Sequence, residues 1–511
     1  MLTKVYSAAL NGADALEVEI EVNEGGGEPK IIVVGLPDAA VKESKDRVTT
    51  AMANSGYRWP RGRTTINLAP ADIRKEGPSF DLPIALGMLA IAHGRDLPRL
   101  GGCCITGELA LTGAIRPVKG VLPIALEARR RGRTTLVVPW DNAAEASVVQ
   151  GISVHGVRNL RECFEFLDGT RDIPSTQSDL DAVFHGNQRF DVDFSDVKGQ
   201  AAVKRAFEVA VAGGHNLLVL GAPGAGKSML AKRIPTIMPP LTLEEAIETT
   251  KIHSVCGLLA SGHNFVAVRP FRSPHHTISD AGLLGGSTNP APGEVSLAHH
   301  GVLFLDELPE FKRSTLEVLR QPLEDGRVTI SRAAGSVTFP ADIMLVAAMN
   351  PCPCGFHGHP KRECRCSPGQ IERYRQRVSG PLLDRIDIHV EAPPVEYAEL
   401  TSNAAEEASS AVRARVEAVR RVQAERFAAA THPPLNARMQ PKEMRAHCGI
   451  SEACHDLMRH AMDDLHLSAR AHDRILKVAR TIADLAGAGE IAEEHLLEAI
   501  QYRTLDRNLW M

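Results

Sequence analysis

Apolar and polar positions fall into three successive regimes along this chain. Through residue 170 the apolar runs are short and switch period. The runs at 31–34, 64–68 and 136–139 read as strands, and those at 83–92 and 121–131 as helices. Ahead of them, 11–28 reads as a polar, acidic stretch. These elements predict an α/β or α+β domain over 1–170. Residues 171–193 are polar and aperiodic, as a linker would be. From 194 to 395 strand and helix signals alternate, the pattern of a parallel α/β sheet. A helix over 201–212 stops at Gly213 and Gly214, and strands follow at 216–220, 302–305 and 343–348. Beyond Pro393 and Pro394 the pattern is helical to the end, over 404–430, 451–465, 469–485 and 492–502, giving a helical domain at 396–511.

Composition changes this picture little. The 511 residues suit about three domains. A net charge of -4 excludes a uniformly basic nucleic-acid coat and a polyacidic tail, while leaving room for a local basic patch. Aromatic residues are 4% of the chain, too few for wide base-stacking platforms. The longest nearly apolar run, 82–92, is about half of the roughly 20 residues a membrane span needs. No basic-then-apolar leader pattern opens the chain, so a cytoplasmic protein without membrane contact is expected. The ten cysteines then read as thiols or metal ligands.

Candidate chemistry concentrates in the middle regime. Gly221, Ala222, Pro223, Gly224, Ala225, Gly226, Lys227 and Ser228 follow a predicted strand and open a predicted helix. This is the G-x-x-x-x-G-K-[ST] phosphate loop in the context it requires. Its glycines bring backbone N–H groups to ATP phosphates. Lys227 would reach the β- and γ-phosphates and Ser228 would ligate Mg²⁺. The next strand ends in Asp306 and Glu307, the first placed for Mg²⁺ and the second for the attacking water. The third ends at Asn350, able to hydrogen-bond γ-phosphate and water. Arg385 and Arg470 are candidates to neutralise transition-state charge, although sequence alone does not separate them from surface arginines.

Together with Asp196 to Gln200, Phe271 to His276, Gly293 to Glu307, Asn350 to Gly355 and Ser379 to Asp387, these motifs resemble the AAA+ ATPases of the helix-2-insert group. More closely they resemble the magnesium-chelatase-like ComM/YifB family, over nearly the whole chain. The resemblance implies a homo-hexameric ring with ATP between subunits. It makes Asn350 sensor 1, Arg385 the arginine finger and Arg470 the sensor-2 arginine, and it places Val197, Gly199 and Gln200 beside adenine. It also implies a DNA motor for branch migration on single- and double-stranded recombination intermediates, as in natural transformation. A predicted hairpin over 326–339 carries Arg332 where related ring helicases place a channel-facing basic residue. Segment 361–385 holds seven Lys or Arg, Arg373 and Arg375 among them, against three acids. The alternative is that these charges form solvated faces or ion pairs with a neighbouring subunit.

Cys352, Cys354, Cys364 and Cys366 form two C-x-C pairs able to close a structural Zn²⁺ site, with His357 and His359 as possible substitutes. Residues 74–90 and 106–140 resemble the Lon protease domain, with its fold like ribosomal protein S5. Ser79 falls on the Lon nucleophile. Leu122 stands where Lon has its lysine base, and Lys119 is three residues early. The expected fold is therefore an S5-like α+β domain, an AAA+ parallel sheet and a helical lid. Two other functions stay open: a chelatase-type motor acting through a partner subunit, and an ATP-dependent serine protease.

Overall fold

The computed structural model describes residues 2–505, except 73, 95–96, 180–189, 260–264, 287–289, 333–334, 396, 402–404 and 429–434; positions 332, 335, 398 and 400 are described by backbone alone. Part of the expected linker thus lies outside the described residues. The chain forms two compact units. The first comprises Met1–Gln188 with Leu243–Ala267 and Ser331–Phe339, and the second Arg189–Thr242, Val268–Ile330 and Pro340–Met511. Two short segments of the expected ATPase stretch therefore group with the N-terminal unit. The C-terminal helices group with the nucleotide-binding sheet.

The first unit is a mixed seven-stranded sheet ordered Lys30–Val34, Arg63–Ala69, Asp14–Gly25, Leu2–Asn11, Cys103–Ile105, Thr135–Pro139 and Ser153–Val157. Its two longest strands, Leu2–Asn11 and Asp14–Gly25, pair antiparallel through the stretch read as merely polar. There Val18, Ile20 and Val22 are fully buried while Glu17, Glu19 and Glu21 face outward, a period of two. Helix Asp81–His93 lies in the core, with 11 of its 13 residues buried.

The second unit is built on five parallel strands in the order Phe271–Arg272, Val302–Leu305, Met344–Met349, Leu217–Gly221, Ile388–Ala392. All residues of the 302–305, 344–349 and 217–221 strands are buried, as expected of a sheet covered on both faces. Its core joins Val203, Phe207, Leu217 and Val346 to Val412, Val416, Ile475 and Leu496, so the helical region shares one core with the sheet. Leu217–Gly221 lies between strands reached by separate crossovers, where ligands bind at carboxyl ends. The hairpin pairs Arg327–Arg332 with Gly335–Pro340. Among the described residues no helix is long and apolar enough to cross a membrane.

Candidate nucleotide site

The phosphate loop leaves the carboxyl end of Leu217–Gly221 and enters helix Lys227–Ala231. Gly224 and Gly226 take φ of +81° and +85°, which only glycine adopts without strain. The loop, Asp306, Glu307, Met349 and Asn350 line a cavity of about 420 Å³. Lys227 Nζ donates to the Gly221 and Ala222 carbonyls at 2.6 and 3.0 Å, and to Asn350 Oδ1 at 3.0 Å. Burial lowers its pKa, against the opposing pull of Asp306 and Glu307. Ser228 Oγ donates to Asp306 Oδ2 at 2.5 Å. Two oxygen ligands thus meet beside the phosphate position, a donor set that suits Mg²⁺.

Glu307 sits in the left-handed region at φ +53° and ψ +48°. A non-glycine residue there costs of order 1 kcal/mol and persists only where the surroundings enforce it. Its side chain is more than half exposed, and His276 Nδ1 lies 3.5 Å from its carboxylate. His276 itself packs against His275, with ring centroids 4.1 Å apart and the rings tilted by 33°. Sequence reasoning gave His276 no role, because nothing local marks a histidine 31 positions away as the partner of Glu307.

Val197 is buried in the unit's core. The Gly199 N–H donates to Glu406 at 3.0 Å. Gln200, in the left-handed region at φ +59°, donates through Nε2 to the Ala225 carbonyl at 3.2 Å and the Pro393 carbonyl at 2.6 Å. Its amide therefore clamps the phosphate loop to the end of the neighbouring strand.

The two candidate arginines are elsewhere, and together. Both line a second cavity, of about 320 Å³, with Glu324, Asp384, Arg438 and Arg474. The Arg385 carbonyl accepts from Asn216 Nδ2 at 3.0 Å, and Asn216 precedes the phosphate-loop strand. Arg385 is thus at the amino end of the sheet. Five parallel residues at about 3.3 Å each put roughly 16 Å between the two ends. Arg385 is buried, donating to the Pro381 carbonyl at 2.6 Å and pairing with Glu324. Arg470 is exposed, 4.0 Å from Asp384.

Just beyond Asn350 the four cysteines converge. Cys352 Sγ lies 3.3 Å from Cys354 and 3.6 Å from Cys364, and Cys354 is 3.6 Å from Cys364. With Cys366, all four sulfurs fall within 4.8 Å of one another. Tetrahedral thiolate zinc, with Zn–S near 2.3 Å, needs sulfurs about 3.8 Å apart. Backbone N–H groups of Phe356 and Arg365 lower the Cys354 thiol to about 6, whereas, against a backbone hydrogen bond at each, desolvation and the neighbouring sulfurs leave Cys364 and Cys366 raised. Neither histidine joins the cluster: His359 Nδ1 accepts from the Lys361 and Arg362 N–H groups, and His357 lines another cavity. Arg375 lines that cavity too and donates to the Pro351 carbonyl at 3.3 Å, whereas Arg373 is exposed. Arg332 closes the first hairpin strand, and its side chain is outside the described residues.

In the first unit Ser79 lies on the turn Pro78–Phe80, which leads into the buried helix. No side chain caps that turn. Leu122 is fully buried and its N–H donates to Glu145 Oε1 at 2.9 Å. Lys119 runs its methylene stem over Gly257. Lys75 is buried, lowered in pKa by that burial, and donates to the Pro70 carbonyl.

The chain is similar to known proteins along nearly its whole length. The family model described as magnesium chelatase, subunit ChlI, matches residues 193–400; a second ChlI model matches 18–142, and the ChlI C-terminal model 406–503. The chain is 44% identical to the competence protein ComM of Haemophilus influenzae over 510 residues, covering 99% of this chain and 98% of ComM. It is 42% identical to YifB of Salmonella typhimurium over 512 residues, again 99% and 98%. A mitochondrial Lon protease homolog of Homo sapiens is 36% identical over 96 residues, 18% of this chain and 10% of that one. With its phosphate loop, parallel sheet and helical region matched along nearly the whole length, the chain belongs to the ComM/YifB family of magnesium-chelatase-like AAA+ ATPases.

Proposed function

We propose that this protein is a cytoplasmic, ATP-driven motor that acts as a homo-hexameric ring on DNA recombination intermediates. The observation that carries the ring is the placement of Arg385 and Arg470 in one cavity at the sheet end opposite the phosphate loop. On this reading they serve the nucleotide of a neighbour rather than that of their own subunit. Within one site Lys227 neutralises the β- and γ-phosphate oxygens, and Ser228 and Asp306 hold Mg²⁺, which screens the same charge. Glu307 accepts the proton of the attacking water and Asn350 orients it. The neighbour's arginines meet the charge that grows on the transferred phosphoryl group. The strands leading to Asp306, Asn350 and the phosphate loop are the three inner strands of the five, each paired on both sides, so these groups are held on a rigid frame.

The DNA reading is supported by ComM, a competence protein by name, and by the hairpin and basic segment carrying Arg332, Arg373 and Arg375. Adenine would lie near Val197, Gly199 and Gln200. Structural zinc would be held by Cys352, Cys354, Cys364 and Cys366, whose sulfur spacing fits it. Proteolysis is disfavoured by buried Leu122 at the position of the base. A chelatase motor acts through a partner carrying D-x-S-x-S, a signature missing from this chain. The test is ATP hydrolysis with and without a branched DNA. We expect DNA to stimulate turnover, Lys227→Ala to abolish it, and stimulation to fall steeply with salt as phosphate contacts are screened. Hydrolysis indifferent to DNA at low salt would contradict the DNA reading.

A further inference from the structure

The insertion 351–366 has neither helix nor strand, and only Pro351, Cys352 and Gly355 in it are buried. It has no apolar core of its own, so the converging sulfurs are what can fix its path. A segment of this kind owes its conformation to its cross-link.

This segment meets the nucleotide site at three points. Cys352 follows Asn350 by two residues, so a metal ligand and the water-orienting amide share one short stretch of backbone. Gly355, at φ +83°, lies against the ring of Pro223 in the phosphate loop: a Cβ built on Gly355 would stand 2.4 Å from Pro223 Cδ and 2.6 Å from Cγ. That contact is backbone against a rigid ring, so neither side can swing away as a long side chain would. Third, Arg375 clamps the Pro351 carbonyl that links Asn350 to the cluster.

We infer that metal binding by Cys352, Cys354, Cys364 and Cys366 is thermodynamically linked to nucleotide binding, the metal-closed insertion propping Pro223 and Asn350 in the geometry that receives phosphate. The inference rests on the zinc reading above. Linkage is reciprocal: if the metal strengthens nucleotide binding, nucleotide must strengthen metal binding by the same factor. The insertion thereby makes ATP binding conditional on an intact thiolate site, which mercurials, strong chelators or thiol oxidation would break.

The experiment uses the full-length protein purified without added zinc. Its metal content is measured, and the metal is then stripped with a mercurial in the presence of a colorimetric zinc chelator. The Kd for a fluorescent ADP analogue is measured before stripping, after it, and after thiol recovery and zinc re-addition. We expect about one zinc per chain, a Kd raised on the order of tenfold by stripping and restored by zinc, and slower zinc release under saturating Mg–ADP. Gly355→Ala keeps all four thiols and should retain zinc while losing nucleotide affinity to a similar degree. Less than about half an equivalent of zinc overturns the zinc reading and the linkage with it. A full equivalent, with Kd unchanged to within about twofold on stripping, overturns the linkage and leaves the zinc reading standing.

Discussion

Asp387 illustrates what one side chain does in the cavity that holds Arg385 and Arg470. It is buried, pairs with Arg474, accepts from the Asn216 N–H at 3.1 Å and lies 3.4 Å from His215 Nδ1. Burial alone would raise its pKa, but Arg474 and His215 outweigh it and hold the carboxyl well below the usual range. A folded pKa below the unfolded one means stability that is present at neutral pH and lost as pH falls below about 4. Asp387→Asn leaves Arg474 without its counter-charge and should destabilise the second unit by about 3 kcal/mol, read as a lower urea midpoint at pH 7. The deficit should shrink below about pH 4; a variant as stable as wild type at pH 7 would refute this account. At this scale the sequence was most legible where a residue's role follows from its place on an element. Asp306 and Asn350 directly follow buried strands and Lys227 opens the helix after the phosphate loop, the placement expected of them from the sequence. His276 and the clamp made by Gln200 were not legible, because each depends on a partner brought near only by folding.

Among the elements, most of those predicted were read to within a residue or two, since an unbroken apolar run or a 3.6-residue stripe survives many tertiary contexts, but the helix expected over 404–430 is helical over Ser409–Arg426, and the strands Leu2–Asn11, Cys103–Ile105 and Ile388–Ala392 and the helix Leu243–Cys256 were not predicted. Strand Asp14–Gly25 was missed because its alternating glutamates were counted as charge rather than as the outer face of a period-two pattern. Helix Ala39–Asn54 was missed for a related reason. Ser44 occupies one of its core positions, where it donates to buried Asp81, so the apolar stripe is broken by a polar residue that is satisfied inside. The helix Arg320–Asp325 carries a prediction. It ends directly before the hairpin and presents Glu324 to Arg385. If Arg385 serves a neighbour's nucleotide, as proposed, it must first release this partner within its own subunit. Because Glu324 is more than half exposed, the pair is worth roughly 1 kcal/mol, so Glu324→Gln should raise DNA-free ATP turnover about fivefold. Unchanged or reduced turnover would show that Arg385 is not restrained by this contact.

For the whole molecule, the near-neutral total says less about DNA than the distribution of charge. A hairpin arginine and a short basic segment, if repeated around the proposed ring, can build a positive field that a net charge of -4 conceals. That two short segments of the middle regime group with the N-terminal unit was not legible, because periodicity names an element without naming what it packs against. The ring itself is tested by mixing. Arg385→Ala and Glu307→Gln should each be inactive alone, whereas mixed rings should regain some ATPase activity, since an intact site can form from one subunit's Glu307 and its neighbour's Arg385; mixtures as inactive as the single variants would contradict action between subunits. The central claim, that hydrolysis moves DNA, is tested most directly by strand displacement on a synthetic three- or four-strand junction. The wild type should drive branch migration only with hydrolysable ATP, and Lys227→Ala should not. A wild type that hydrolyses ATP on the junction and leaves the strands in place would contradict it.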